Sequence, residues 1–275
     1  MIVEVTYSTK EYENARKYNV KMAYKKGKVD KVFEYCEDDL EDSFKEKNQK
    51  ILSCKRGGGY WLWKPYVVKK TLEQLQDGDY LFYCDSGAFA TGDLHVLVDY
   101  MDKVQTDILF FELGCIEKYW TKRDVFIELK CDTPVAAESS QRCATYFMLK
   151  KTERSQQFVN EWLMYAERYE LISDADNVIY HKNNYEGFHE NRHDQSIMSL
   201  LSKKYGYNAY LDISQYRYPR GWKNRRVKKE QEKSTGYPIL ICLHRQKKAD
   251  ITSAFREGVL NYFPLLTRIM HYGYH

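Results

Sequence analysis

The sequence lacks any hydrophobic run long enough to cross a membrane. No stretch approaches 18 consecutive apolar residues, which is about the length that a transmembrane helix needs. The opening segment, MIVEVTYSTKEYE, also lacks the basic region followed by an apolar region that marks a secretion signal. We therefore expect a cytoplasmic protein without a membrane-spanning helix.

Paired cysteines are missing as well. The count is odd, there is no C-x-x-C pair, and a disulfide framework would normally show an even number at regular spacings. We expect reduced, buried thiols, as in a cytosolic protein. The seven are Cys36, Cys54, Cys84, Cys115, Cys131, Cys143 and Cys242.

A strong excess of one charge is the third absence. Lys and Arg number 43 against 39 Asp and Glu, so the molecule as a whole is not a polycation. What the chain does have is 275 residues with 43% hydrophobic content, enough for one large domain. It also has 25 tyrosines, whose flat apolar faces and polar tips suit sugars and nucleotides, although biased composition explains that number equally well.

Predicted strands and helices alternate along the chain. The apolar segments IVEVTY, KVFEYC, YLFYC, ILFFE and TYFMLK read as strands, as do the late segments YLDI and YPILICL. Segments with helical spacing lie between several of them. This alternation predicts an α/β fold with a mostly parallel, mixed sheet flanked by helices. In such sheets ligands bind beyond the carboxyl ends of the strands.

One strand ends in a notable way, with Asp85, Ser86 and Gly87 directly after YLFYC. A carboxylate at this place can bind a divalent cation or a ribose hydroxyl, and small neighbours let phosphates approach the backbone. An ordinary β-turn has the same composition. These three residues alone favour the turn.

The order of several longer motifs is more specific. The segments RGGGYWLWKPYVVKKTLEQLQDGDYLFYCDSGA, YWTKRDVF and ENRHDQSIMSLL resemble bacterial GT-A-like glycosyltransferases of surface polysaccharide and lipooligosaccharide biosynthesis. The resemblance covers most of the chain, up to CLHRQKK. It implies a GT-A-like, Rossmann-like fold and transfer of a sugar from a nucleotide-sugar, with UDP as the guessed nucleotide. It also implies Mn²⁺ or Mg²⁺ and a glycan or lipid-linked acceptor, which allows peripheral contact with the inner face of a membrane.

The resemblance assigns Asp85 to the position of the metal-binding DxD element. This sequence departs from that pattern, because Gly87 replaces the second aspartate, so metal coordination would be completed elsewhere. His244 is similar to the late histidine that completes the metal site in several such enzymes. The alternative is a surface histidine beside Arg245.

A departing diphosphate needs positive charge nearby. Lys64, Lys122 and Arg123 are the predicted donor-phosphate contacts, and Arg245 is a further candidate; each could equally be a solvated surface charge. Lys64 also begins the helix at Pro65, where free N–H groups favour anions. The predicted base-proximal residues, at the end of the first strand, are Thr6 and Tyr7.

The catalytic candidates precede the helix QSIMSLL. His193, Asp194 and Gln195 resemble an Asp-Gln element that lies near the sugar in related retaining transferases, with Asp194 as acid/base or charge-stabilising group. Gln141 is a weaker candidate for the same pocket. The alternative for Asp194 is a plain helix N-cap, which aspartate fills well.

Two other functions remain open. HENRH, residues 189–193, matches the H-E-x-x-H zinc motif, but the preceding polar segment does not predict the helix that this motif needs. The basic stretch 220–234 suits a solvated loop, a nucleic-acid contact or an anionic surface; nucleic acid is not the partner we expect. We divide the chain into a catalytic domain, 1–248, and a C-terminal helix, 249–275, that packs on the domain or faces a membrane.

Overall fold

A computed structural model gives the structure of residues 1–217 and 235–244. In these ranges no helix is long and apolar enough to cross a membrane. The strands are β1 (Ile2–Tyr7), β2 (Lys31–Tyr35), β3 (Tyr80–Cys84), β4 (Ala88–Ala90), β5 (Ile108–Ile116), β6 (Ser140–Arg142), β7 (Tyr146–Lys150), β8 (Ala209–Tyr210) and β9 (Ile241–Leu243).

Helices cover both faces of the sheet. The longer ones are α1 (Glu13–Met22), α5 (Trp63–Leu72), α6 (His95–Val104), α10 (Glu153–Ala166) and α12 (His193–Lys204). The shorter ones are α2 (Asp42–Lys47), α3 (Gln49–Leu52), α4 (Gly57–Tyr60), α7 (Glu117–Trp120), α8 (Arg123–Glu128), α9 (Pro134–Ala137) and α11 (Tyr169–Ile172).

The main sheet has seven strands in the order β2-β1-β3-β7-β5-β6, with β8 also paired to β5. The pairs β1–β2, β1–β3 and β5–β8 are parallel. The pairs β3–β7, β5–β7 and β5–β6 are antiparallel. The predicted α/β class with a mixed sheet flanked by helices is therefore confirmed, with parallel and antiparallel pairs equally represented in the described part of this sheet.

The parallel centre of the sheet positions the site. β1 and β3 are neighbours in register from Ile2 opposite Tyr80 to Val5 opposite Tyr83. Their carboxyl ends therefore meet at one edge of the sheet, and Asp85 follows directly after β3. Both strands are buried over their whole length, as expected for strands covered on both faces.

Two hydrophobic clusters lie on opposite faces of the sheet. Alternate residues of β1 divide between them, because side chains along a strand point to opposite faces: Val3 and Val5 join one cluster, and Ile2 joins the other. The first cluster includes Trp162 of α10, and the second includes Leu97 of α6. The N-terminal region of the sheet is thus a packed three-layer structure.

The remaining C-terminal predictions have mixed outcomes. Of the segment YLDI, only Tyr210 lies in a strand, at the end of β8, and of YPILICL only Ile241–Leu243 do, as β9. β9 pairs antiparallel with β4 in a separate two-stranded sheet. The basic stretch 220–234, Arg245 and the helix expected over 249–275 lie outside the described residues. The division of the chain at 248 stays a prediction for the same reason.

A buried carboxyl group interrupts the apolar side of β1. Glu4 is fully buried, and its register neighbours are Val32 on β2 and Phe82 on β3. Burial raises the pKa of Glu4 to about 8, and the Asn19 side chain offsets only part of this. The neutral form of Glu4 is therefore the form that the folded protein favours near neutral pH.

We predict that Glu4→Gln removes a pH dependence from the folding stability. Between about pH 4.5 and pH 8 the native state holds a proton that the unfolded state has lost, because the pKa of Glu4 rises from 4.5 to about 8 on folding. The free energy of unfolding of the unmodified protein should then fall, relative to the variant, by up to about 1.4 kcal/mol per pH unit across this window.

Urea unfolding at about pH 5, 6.5 and 8 measures this difference. The exposed Glu46→Gln is the matched control and should follow the unmodified protein at every pH. A difference between Glu4→Gln and the unmodified protein that stays constant with pH would contradict the prediction.

Candidate active site

The carboxyl ends of β1 and β3 open into a cleft of about 650 Å³. Tyr7 lines it at the end of β1, and its ring stacks on Trp63 with centroids 3.9 Å apart. Asp85, Ser86 and Gly87 line it at the end of β3. The edge predicted from the strand pattern is therefore a real concavity, with an aromatic wall on one side and a carboxylate on the other.

A left-handed turn forms another wall of this cleft. Five consecutive residues, Gly57 to Trp61, have φ between 53° and 93°. Residues other than glycine rarely adopt these backbone angles. A Cβ atom on Gly57 would lie 2.3 Å from the Trp61 ring, and one on Gly59 would lie 2.8 Å from the Leu52 Cα atom. The glycines are required here both by the backbone angles and by the close packing.

Trp61 separates the large cleft from a second pocket of about 260 Å³. Both pockets are lined by Trp61, Asp85 and Thr145. Three residues of the predicted catalytic set, His193, Asp194 and Gln195, line the second pocket only.

The side chain of Lys64 lines the second pocket and is buried. Its Nζ atom is 3.2 Å from Asp85 Oδ1 and 3.3 Å from Asp194 Oδ2, and it donates a hydrogen bond of 3.0 Å to the Ala144 carbonyl. Asp85 Oδ1 also accepts a 2.5 Å hydrogen bond from the Tyr83 hydroxyl. One ammonium group thus joins residues from α5, the end of β3 and α12.

These contacts set the charge of the site. Burial lowers the pKa of Lys64, but Asp194 and Asp85 outweigh it, so the pKa lies above its usual value. Burial raises the pKa of Asp194 to about 6 against the lowering effect of Lys64. Lys64 is therefore charged, while Asp194 changes its charge within a mildly acidic range.

Asp194 is not an N-cap, contrary to the alternative drawn from the sequence. The N-cap of α12 is Arg192, and no side chain caps the helix there. Asp194 lies inside the first turn, with its backbone carbonyl accepting a hydrogen bond from the Trp162 indole and its carboxylate next to Lys64. The carboxylate of Asp194 is therefore not used to cap the helix and is available to the site.

His193 begins α12 with a left-handed φ of 53°. Its Nδ1 atom is 2.7 Å from the Ile172 carbonyl, so Nδ1 carries the proton, and its ring stacks on Tyr60 and Trp61. Burial lowers the pKa of His193. The neutral ring is held by stacking and by one hydrogen bond, close beside Asp194.

Gln195 joins the same site through a backbone group. Its Oε1 atom accepts a 3.1 Å hydrogen bond from the Ala144 N–H, and the Ala144 carbonyl accepts from Lys64. Its Nε2 atom donates to Gln141 Oε1 at 2.8 Å. Gln141 is fully buried behind Gln195 and is not among the described residues that line either pocket.

Asp85 and His244 come to the same turn. The His244 backbone N–H donates to the Gly87 carbonyl at 2.9 Å, and burial lowers the pKa of the His244 ring against the effect of a hydrogen bond to the Ser86 backbone. Within residues 1–217 and 235–244 there is no group of three or more potential metal-ligating side chains. The ring of His244 is buried and packs near Phe89, and Asp85 Oδ1 already contacts Lys64 and Tyr83. A metal site on Asp85 and His244 therefore stays a prediction.

Three other predicted residues lie away from the pockets. Lys122 donates to the backbone carbonyls of Ser173 and Ala175, and Arg123 forms an ion pair with Asp132 at 2.7 Å. Thr6 is fully buried on the face of β1 opposite Tyr7. None of the three is among the described residues that line the two pockets.

The H-E-x-x-H segment does not form the helix of a zinc peptidase. His189 lies in an irregular segment, and only His193 belongs to α12. The ring of His189 packs near Tyr119 and Trp120, whereas His193 stacks on Tyr60 and Trp61. The two histidines are thus committed to different aromatic partners.

Sequence reasoning missed several residues of the site. Arg56, Glu190 and Arg192 line the second pocket, and Arg56 bridges Glu190 at 2.6 Å and Asp174 at 3.1 Å. The glycine triplet was the available signal for Trp61, since three successive glycines indicate unusual backbone angles. No sequence signal pairs Arg56 with residues more than a hundred positions away.

Comparison with known proteins gives structural neighbours only. No protein-family model and no curated protein sequence matches the chain. Similar solved structures include mouse xyloside xylosyltransferase 1 (TM-score 0.46, 10% identity, 92% of this chain and 99% of that chain) and the galactosyltransferase LgtC with donor and acceptor sugar analogues (0.46, 14%, 95% of each chain). The bifunctional glycosyltransferase WbbM is a third (0.49, 11%, 95% of this chain and 49% of that chain).

All three of these proteins are glycosyltransferases. At these identities and TM-scores, the likeness concerns the course of the chain and assigns no reaction or substrate.

We predict that Lys64→Met destabilises the protein most at high pH. Removal of the ammonium leaves the Asp194 carboxylate buried without a counter-charge, a change that typically costs about 3 kcal/mol or more. At low pH the carboxyl can take up a proton, so the loss should be smaller. Urea unfolding at about pH 5 and pH 8 measures the free energy of unfolding.

Lys69→Met is the matched control. Lys69 lies on the same helix, pairs with Glu73 at the surface, and should cost less than about 1 kcal/mol at either pH. An equal loss for Lys64→Met at both pH values would contradict the buried-charge explanation.

Proposed function

We propose that this chain is a glycosyltransferase that moves a sugar from a nucleoside diphosphate sugar to an acceptor hydroxyl. The observation that carries the proposal is the position of Asp85. It lines both pockets and shares the Lys64 ammonium with Asp194. A reacting bond between the contents of the two pockets would therefore lie beside two carboxylates and one buried cation.

The proposed occupant of each pocket follows from the size and lining of that pocket. The larger cleft, about 650 Å³, is within the range of small-molecule sites, and Tyr7 and Trp63 offer an aromatic surface for a base. The smaller pocket, about 260 Å³, takes the donor sugar and the acceptor hydroxyl. Asp194, His193 and Gln195 are the proposed sugar contacts.

The charges suit this reaction. Glycosyl transfer passes through a state with positive charge on the sugar, as glycoside hydrolysis does. Lys64, Asp85 and ionised Asp194 together carry one net negative charge, which favours that state. Negative charge on the leaving diphosphate would be met by a divalent ion, which Asp85 and His244 would hold.

The finer assignments are also part of the proposal and rest on the motif resemblance. The donor is a UDP-hexose. The acceptor is a glycan or a lipid-linked sugar of surface polysaccharide assembly, at the cytoplasmic face of a membrane. Ser86 and Gly87 lie where phosphates can approach the backbone, while Lys122 and Arg123 are left out of the proposed donor site because their side chains bind other parts of the protein.

We predict that a nucleoside diphosphate raises the melting temperature, and more so with Mn²⁺. A ligand at 100 times its Kd adds about 2.7 kcal/mol of stability, which corresponds to roughly 5 °C or more for a chain of this size. UDP, GDP, ADP and CMP should be compared with and without the metal.

The other outcomes of this screen are equally informative. No shift with any nucleotide would count against the transferase. A shift with Zn²⁺ alone, lost in His189→Ala, would favour a zinc hydrolase. Salt-sensitive binding of an oligonucleotide without donor turnover would favour a nucleic-acid-binding module.

We predict that Asp194→Asn lowers kcat by about a hundredfold or more, because a charge-stabilising group is lost, while the UDP-induced melting shift persists. In the unmodified enzyme kcat should rise with pH through about 6, since Asp194 loses its proton there. Nucleoside diphosphate release from a panel of UDP-hexoses measures turnover. The exposed Asp42→Asn is the control, and loss of the UDP shift in Asp194→Asn would place this residue in the nucleotide cleft instead.

A further inference from the structure

A chain of buried hydrogen bonds runs from the second pocket into the core behind it. Gln195 contacts Gln141, and Gln141 contacts Glu117 on α7. Glu117 is fully buried and forms an ion pair with Lys203 of α12. None of Gln141, Glu117 and Lys203 is among the described residues that line the two pockets, so any role in sugar transfer must act through Gln195.

The donor and acceptor roles along this series of hydrogen bonds are determined at its buried end, by Glu117. An ionised carboxylate only accepts hydrogen bonds, so Glu117 Oε1, 3.0 Å from the Gln141 amide, must face the NH₂ group of that amide. Two further acceptors surround the same nitrogen: Thr121 Oγ1 at 3.2 Å and the Trp120 carbonyl at 3.4 Å. The Thr121 hydroxyl donates its hydrogen bond to Glu117, so its oxygen can only accept a hydrogen bond from Gln141.

The orientation of Gln141 then reinforces that of Gln195, which the Ala144 N–H favours independently because a backbone N–H only donates. With its NH₂ group directed to Glu117, Gln141 presents its oxygen to Gln195, whose Nε2 atom donates to it at 2.8 Å. The Gln195 oxygen must then face the other way, where it accepts from the Ala144 N–H. The Ala144 carbonyl, in turn, accepts a hydrogen bond from Lys64.

We propose that Glu117, acting through Gln141, is a positioning residue that fixes which end of the Gln195 amide faces the Lys64 side of the second pocket. The amide of a glutamine can rotate by 180° with little change in shape, but that rotation exchanges a donor for an acceptor. A sugar hydroxyl beside Gln195 would meet the opposite hydrogen-bonding partner after such a rotation. This inference depends on the proposed function only for the identity of the molecule in the pocket.

The test compares two variants that break the same ion pair. Glu117→Gln replaces the carboxylate by an amide, which can present either an oxygen or a nitrogen to Gln141. Lys203→Met removes the cation and keeps the carboxylate, to which the Thr121 and Ser199 hydroxyls still donate hydrogen bonds, so Glu117 Oε1 still faces the Gln141 NH₂ group. Both should lower the melting temperature, whereas only Glu117→Gln should allow the two glutamine amides to rotate.

We expect Glu117→Gln to lower kcat about tenfold, the effect of one misplaced hydrogen bond, with the KM for the UDP-hexose and the melting shift by UDP unchanged. Lys203→Met should keep kcat within about twofold, measured well below the melting temperature of each variant. Equal kcat values for the two variants would overturn the inference. No turnover by the unmodified protein would instead overturn the proposed function.

A second measurement needs no variant. The side-chain NH₂ protons of Gln141 and Gln195 should exchange with solvent at least tenfold more slowly than those of the exposed Gln49, because both amides are held in the chain of hydrogen bonds. NMR of glutamine-labelled protein reports these rates. Exchange of the Gln141 protons as fast as that of Gln49 would contradict the proposal even if Glu117→Gln fails to fold.

Discussion

The ion pairs of Lys64 with Asp85 and Asp194 connect three parts of the chain that are far apart in sequence. A charge in the protein interior is costly unless it is paired, so the buried ammonium requires both carboxylates to stay close to it. This requirement fixes the distance between the end of β3 and the start of α12. Asp85 lines both pockets, and Lys64 and Asp194 line the second, so the relative position of the pockets depends on this contact.

The surroundings of this contact restrict its geometry further. The Tyr83 hydroxyl donates a hydrogen bond to Asp85, and the Trp162 indole donates one to the backbone carbonyl of Asp194. The Ala144 carbonyl accepts a hydrogen bond from Lys64. Tyr83 lies on β3 and Trp162 on α10, whereas Ala144 lies in the short bend between β6 and β7. A site that is built on regular elements keeps its geometry better than one built on loops.

Much of the central fold was predictable from local pattern. β1 and β3 have the predicted bounds because each is a short apolar run between polar segments. The position of Asp85 followed from the strand that precedes it. The insertion of β7 between β3 and β5 could not be predicted, since strand order depends on contacts between residues far apart in sequence.

The candidate site was predictable to a lesser extent, for the same physical reason. Asp85, Asp194 and Lys64 were recognised from motifs, but their shared contact is visible only in three dimensions. Lys122 carries the same charge as Lys64 and also lies at the start of a helix, as the N-cap of α8, yet it donates to the carbonyls of Ser173 and Ala175. Nothing in the local sequence separates a lysine that stabilises a loop from one that faces a ligand.

The wall shared by the two pockets has a consequence of its own. Trp61, Asp85 and Thr145 each present a surface to both pockets, so the two occupants would rest against the same three residues. A first molecule that shifts any of them changes the surface on which the second must settle. The two affinities would then be thermodynamically linked, so that each ligand alters the binding of the other by the same factor. The order in which the two ligands bind would then depend on these three shared residues.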